Sequence, residues 1–93
     1  MYTLELYTHP WCSDCKASKE YLKQQQVKFI EHNLSETPET EEQLKDLTGS
    51  RVVPGFVFRK NSVLGKLKKP IVFTGYKQNL EKIQSLVRKL KRI

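Results

Sequence analysis

Cysteine is nearly missing from these 93 residues: there are two, and they lie three positions apart as Cys12 and Cys15. So close a pair would close only a tiny loop, a poor staple by loop entropy, which argues against a disulfide scaffold and leaves a structural disulfide or two idle buried thiols as the lesser alternative. Long apolar runs are missing too, and no stretch approaches the roughly 20 residues that span a bilayer. Met1 leads straight into a strand-like run, with no basic segment and apolar core of a secretion signal, so a cytoplasmic location is expected. Repeats, linkers and low-complexity tracts are absent, and the length fits one domain over residues 1–93 with one modest core. Acids nearly vanish from the second half. Residues 1–50 hold five lysines against nine acids, whereas residues 51–93 hold twelve Lys and Arg against Glu81 alone. A compact domain with that split has a basic face, either a solvated surface or one that steers an acidic protein or nucleic acid.

An apolar fraction of 38% with nine aromatics makes a folded chain. Tyr2 to Thr8 alternates and is rich in Tyr, Thr and Leu, the pattern of a strand that Pro10 ends. From about Cys12 to Gln25 the period turns helical, with Ala17, Tyr21 and Leu22 marking a face and Ser18 and Leu22 one turn apart. A second strand is expected from Val27 to about Leu34. Strand, helix, strand in this length implies a right-handed βαβ unit with parallel strands. Thr37-Pro38-Glu39 is a helix start, with a capping hydroxyl, proline in the first turn and acids behind it, and Gly49 is a plausible stop. Phe56 to Lys60 and Pro70 to Thr74 form third and fourth strands, antiparallel to each other, joined by a lysine-rich connection at 61–69 that includes Lys66, Lys68 and Lys69. Asn79 caps a last helix whose stripe is Leu80, Ile83, Val87 and Leu90. The expected order is β-α-β-α-β-β-α.

The chemistry sits where the first strand meets the first helix. A thiolate is the nucleophile of disulfide exchange, and a helix N-terminus lowers a thiol pKa. Cys12 is at the helix start and is the expected attacking residue. Cys15 lies one turn inside and is the expected resolving thiol. Moving a thiol from about 8.5 to about 7 takes about 2 kcal/mol, within reach of a helix terminus plus a hydrogen bond. Asp14 works against this, either as a tuning group that raises the Cys12 pKa or as an ordinary first-turn acid. His9 is either a solvated loop residue or a cation that favours the thiolate. Trp11 either forms an exposed docking surface or packs on the last helix. A zinc set of His9, Cys12, Cys15 and His32 has only one ligand pair at zinc-like spacing, and no metal is expected.

Three landmarks together resemble the glutaredoxin family of the thioredoxin-fold superfamily: Tyr7-Thr8-His9-Pro10-Trp11-Cys12-Ser13-Asp14-Cys15, Val52-Val53-Pro54 and Thr74-Gly75-Tyr76. The resemblance covers nearly the whole chain. It implies an α/β thioredoxin/glutaredoxin fold, a four-stranded mixed sheet flanked by three helices. It implies a cis peptide before Pro54, with Val53 pairing its backbone to a bound thiol substrate, and a substrate surface of Trp11, Val53, Pro54, Thr74, Gly75 and Tyr76. It implies a thiol–disulfide oxidoreductase that acts as a monomer on protein disulfides. No cofactor is held tightly, and electrons come from NADPH through thioredoxin reductase or from a low-molecular-weight thiol.

Phe73-Thr74-Gly75-Tyr76-Lys77-Gln78-Asn79 is most similar to the NrdH-type redoxins, which are typically reduced by thioredoxin reductase and serve ribonucleotide reductase. Glutathione-using members commonly carry an acidic pair where this chain has Lys77-Gln78, and a cation repels the γ-glutamyl ammonium. Two departures stand out: the Ser13-Asp14 dipeptide and the long 61–69 connection. The pattern Tyr7-Thr8-x-Pro10-x-Cys12-x-x-Cys15 also resembles the arsenate-reductase/Spx family, in which such a dithiol serves as a redox switch on a transcription regulator. That family inserts helices mid-chain for which this sequence has no room. No recognition motif supports a nucleic-acid module.

Overall fold

The computed structural model describes residues 2–36, 38–60 and 70–91. Alternation at the N-terminus gives β1 (Tyr2–Thr8), followed by α1 (Ser13–Gln24), β2 (Ile30–Asn33), α2 (Pro38–Thr48), β3 (Gly55–Lys60), β4 (Ile71–Thr74), a 3₁₀ turn (Lys77–Asn79) and α3 (Leu80–Lys91). The sheet runs β2-β1-β3-β4, with β1 and β2 parallel and the other two pairings antiparallel. This is the thioredoxin-like α/β arrangement. Thr37 and the 61–69 connection lie outside the described residues.

Strand alternation sorts the core to two faces. Leu4, Leu6, Phe56 and Phe58 face α1 and α3, where they meet Leu22, Ile83, Leu86 and Val87. Tyr7 and Val57 face the other way and meet Leu44 of α2. A Cβ on Gly55 would stand 2.6 Å from Leu44 Cδ1 and 3.5 Å from Tyr7 Cβ, so glycine is what lets α2 lie this close to the start of β3.

Three sequence expectations need correction. The buried face of α1 is Cys15, Ser18 and Leu22, while Ala17 and Tyr21 are only half-buried. Ser18 is tolerated inside because its hydroxyl donates to the Asp14 carbonyl at 2.7 Å. The second strand begins at Ile30, not Val27. Gln26 takes a left-handed φ of 59°, and its N–H and that of Val27 close on the carbonyls of Lys23 and Leu22, ending α1 in a Schellman motif. Val27 and Phe29 then pack on the core before strand pairing starts. Asn79 precedes α3 as expected, but its side-chain nitrogen donates backwards, to the carbonyls of Thr74 at 2.8 Å and Gly75 at 3.2 Å. Gly49 fills its expected place, with φ 76° and its N–H on the Lys45 carbonyl at 2.7 Å.

On the α2 face a polar group crosses three strands. The Glu5 carboxylate accepts from Arg59 Nε and lies 2.9 Å from His32 Nε2, and His32 stacks on Tyr7 with ring centroids 4.6 Å apart. Burial alone would raise the Glu5 pKa, but the hydrogen bonds and charges of Arg59 and His32 outweigh it and hold the carboxyl below its ordinary value. A depressed folded-state pKa contributes stability that is present above the unfolded carboxyl pKa and lost as pH falls through the folded one. Glu5→Gln is therefore expected to cost about 1–2 kcal/mol at neutral pH and to flatten the acid limb of a stability-against-pH curve. Parallel acid limbs for the two proteins would show that Glu5 contributes nothing there.

Candidate active site

Four residues between β1 and α1 set the site. The Cys12 N–H closes a turn on the His9 carbonyl at 3.1 Å, with Pro10 at the position where its fixed φ suits a turn. His9 Nδ1 accepts from the Trp11 N–H at 3.3 Å, which braces the loop. The turn directs Trp11 outward to 90% exposure, so it does not pack on α3.

Cys12 is the N-cap of α1, with extended backbone at φ −99° and ψ 111°. Its sulfur stands where a capping serine oxygen would stand and accepts the Cys15 N–H at 3.0 Å. Cys12 and Cys15 are joined as a disulfide. Cys12 is half-buried, whereas Cys15 is 1% exposed and belongs to the buried face of the helix. When the bond is reduced, a proton donor and the positive end of the helix dipole are aimed at the Cys12 sulfur. Both favour the anion over the neutral thiol.

Asp14, half-buried in the first turn, adds an opposing charge. Its Oδ1 lies 3.7 Å from Lys77 Nζ. This partner comes from the 3₁₀ turn after Gly75-Tyr76, and sequence spacing gives no hint of a pair 63 positions apart. The contact joins the dithiol dipeptide to the glycine turn.

The other landmarks are joined in the same way. The Val53–Pro54 peptide is cis. Pro54 is buried, and its carbonyl accepts the Gly75 N–H at 2.8 Å. Gly75 has a φ of 92°, in the region that favours glycine. Val53 packs against the Tyr7, Leu44 and Val57 cluster, and Val52 is 50% exposed. Thr74 is half-buried at the end of β4, and its carbonyl accepts from Asn79 of the 3₁₀ turn at 2.8 Å. Tyr76 turns inward: its ring lies 6.1 Å from those of Phe56 and Tyr21, and burial pushes its phenol pKa up. Dithiol, glycine turn and Val53-Pro54 segment thus form one chain of contacts.

Arg51 was not singled out by sequence. It pairs with Glu41 at 2.8 Å and Glu42 at 3.3 Å, while Thr48 and Ser50 exchange hydrogen bonds beside it, and together they hold the approach to Val53-Pro54 on α2. His32 is engaged by Glu5 and Tyr7 on the α2 face and is not placed with His9. Among the described residues no group of three or more His, Cys, Asp or Glu is arranged to hold a metal ion.

A thioredoxin-like sheet with a Cys-x-x-Cys disulfide at the start of its first helix defines a class of thiol redox proteins. Residues 4–63 match the Glutaredoxin family, and the chain belongs to it. A glutaredoxin-like 8.6 kDa protein encoded in a rubredoxin operon of Clostridium pasteurianum, itself uncharacterized, is 29% identical over 62 residues, covering 67% of this chain and 83% of that protein. Among solved structures, the thioredoxin-like protein BC3987 superposes with a TM-score of 0.69 at 27% identity, over 90% of this chain and 99% of the other. The glutaredoxin grx-1 of Archaeoglobus fulgidus gives 0.67 at 27% identity, over 95% and 88%. No helix among the described residues is long and apolar enough to cross a membrane.

Proposed function

We propose that this glutaredoxin-family chain is a small dithiol–disulfide electron carrier that reduces protein disulfides. The observation that carries this reading is the contrast between two sulfurs one helical turn apart. Cys12 is partly open and bonded to the Cys15 N–H at 3.0 Å, and Cys15 is closed off. The reduced Cys12 thiolate attacks one sulfur of a substrate disulfide. A mixed disulfide forms, and the other substrate sulfur leaves as a thiolate that takes up a proton. Cys15 then gives up its proton and attacks Cys12 Sγ. The mixed disulfide breaks, the second substrate thiolate leaves, and the Cys12–Cys15 disulfide closes. Two electrons have passed to the substrate, and a reductant must return them.

Substrate lies against Trp11 and along Val53-Pro54, with Thr74 and Gly75 on the far side and Tyr76 holding that turn on the core from within. Pairing of substrate backbone at Val53 is β-augmentation, which holds an extended segment whatever its side chains. Asp14 and His9 tune the dithiol. Lys77 and Gln78 support a reductant other than glutathione: the Lys77 cation, with its Nζ 3.7 Å from Asp14 Oδ1, offers no grip to an ammonium. The NrdH-like assignment, with thioredoxin reductase as electron source and ribonucleotide reductase as target, fits this better than glutathione does.

A reductant comparison tests the reading. Insulin or a small disulfide is supplied with catalytic amounts of the protein and either NADPH with thioredoxin reductase, or NADPH with glutathione and glutathione reductase. The first system should sustain turnover and the second should lag by about tenfold or more, the worth of one misplaced charge of about 1.4 kcal/mol. Faster turnover with glutathione would overturn the NrdH-like assignment. Activity with neither would remove the carrier reading itself.

A further inference from the structure

The two faces of the sheet carry opposite charge. On one side, α1 together with residues 77–91 holds eight basic residues and three acidic ones. On the other, α2 holds four acidic residues and one basic. The split seen along the sequence is therefore a split through the molecule, because α1 and α3 share one core cluster and α2 packs on the opposite one.

The basic side adjoins the dithiol. Helix α1 starts at Cys12 itself, and the 3₁₀ turn leading into α3 touches that helix through Lys77 and Asp14. Lys16, Lys82, Arg88 and Lys89 are exposed, and none has a carboxylate within ion-pair distance among the described residues. Their field is thus not cancelled locally. Trp11, 90% exposed, adjoins Cys12 in the chain, and Val52, 50% exposed, leads into the Val53-Pro54 segment that the glycine turn links to the dithiol. An apolar centre with a charged rim is the anatomy of a protein–protein interface.

We propose that the α1/α3 face is a docking surface for a protein whose disulfide lies among Asp and Glu side chains, so that charge complementarity selects the substrate. This rests on the electron-carrier reading and names the substrate class for that same site. Steering acts mainly on encounter rate: a cluster of uncancelled cations raises the association of an acidic partner and lowers that of a basic one, and salt removes both effects. A disulfide-bearing protein suits the face better than a nucleic acid does, because among the described residues the one exposed large aromatic, Trp11, is next to the reactive sulfur and not spaced among these cations for base stacking.

Two short cyclic disulfide peptides of one sequence, flanked by Glu in one and by Lys in the other, provide the test. Second-order rate constants for their reduction by the reduced protein are measured at low salt and at about 0.5 M salt, where the Debye length falls to a few ångströms. The acidic peptide should react about tenfold faster at low salt, and the ratio should approach one at high salt. Lys82→Glu with Lys89→Glu should lower the low-salt ratio by about threefold or more, while Lys45→Glu on α2 should leave it unchanged. A ratio of one or less at low salt overturns the proposal. So does a ratio indifferent to salt, or a Lys45→Glu effect equal to that of the α3 pair. Competition by duplex DNA or anionic vesicles as strong as that by the acidic peptide reassigns the face to polyanions in general and also overturns it. Two inert peptides would instead refute the electron-carrier reading.

Discussion

Cys12→Ser is expected to abolish disulfide reduction, by on the order of a thousandfold or more, with the fold intact. Serine is a preferred N-cap, and its Oγ can take the Cys15 N–H that the Cys12 sulfur now accepts at 3.0 Å. The loss would therefore report the missing nucleophile and not a damaged helix. Cys15→Ser should behave differently. Attack at Cys12 survives, but nothing resolves the adduct, so the substrate stays attached as a mixed disulfide that mass spectrometry detects. Equal loss in both variants without a trapped adduct would mean that the two sulfurs do not divide the work. Full activity in Cys12→Ser would end the account.

Phe56→Ala is expected to cost about 3–5 kcal/mol, a large share of the 5–15 kcal/mol that stabilises an ordinary domain. Phe56 is fully buried, lies parallel to Phe58 at 6.5 Å and supports the ring of Tyr76 at 6.1 Å. It is also the second residue after Pro54, and its backbone sits between Leu6 and Phe73 in the centre of the sheet. Removing the ring opens a cavity that the flanking strands cannot close. Denaturant unfolding of both proteins in the same oxidation state checks the value, and a loss below about 1 kcal/mol would show that Tyr76 and Phe58 collapse into the gap.

How far the sequence disclosed this molecule depends on the range of each signal. Alternation in β1, the Cys12 helix start, the Gly49 stop and the α3 stripe are local. Each was readable because its cause lies within a turn of itself, and Ile83 and Val87 are fully buried as the stripe requires. The Schellman end of α1 was not readable, because Gln26 takes a conformation that glycine or asparagine usually announces. Its consequence was a second strand drawn three residues too long at its start. Ser18 and Leu22 stand one turn apart in the pattern, but that a serine is buried there was not readable, because its hydroxyl is satisfied by the Asp14 carbonyl within its own helix.

In the site, Cys12 and Cys15 announced themselves by spacing. What surrounds them did not. Asp14 meets Lys77 and Glu5 meets Arg59 only because the sheet order β2-β1-β3-β4 and the return of α3 beside α1 bring distant segments together. Pattern along the chain carries no such information. That Trp11 does not pack on α3 is likewise a consequence of the turn from His9 to Cys12, whose hydrogen bonds fix its direction. The charge split was visible as a count, but its meaning needed the layers: the two helices that share the basic face are separated in sequence by an acidic one.

The central claim is that the Cys12 sulfur ionises easily at the leading end of α1. A thiolate-absorbance titration of reduced Cys15→Ser protein tests it most directly, since Cys12 is then the sole thiol in the chain. The account predicts an apparent pKa near or below about 7, against about 8.5 for an unperturbed cysteine. A value at or above about 8.5 would contradict it, because neither the helix terminus nor the Cys15 N–H would then be stabilising the anion.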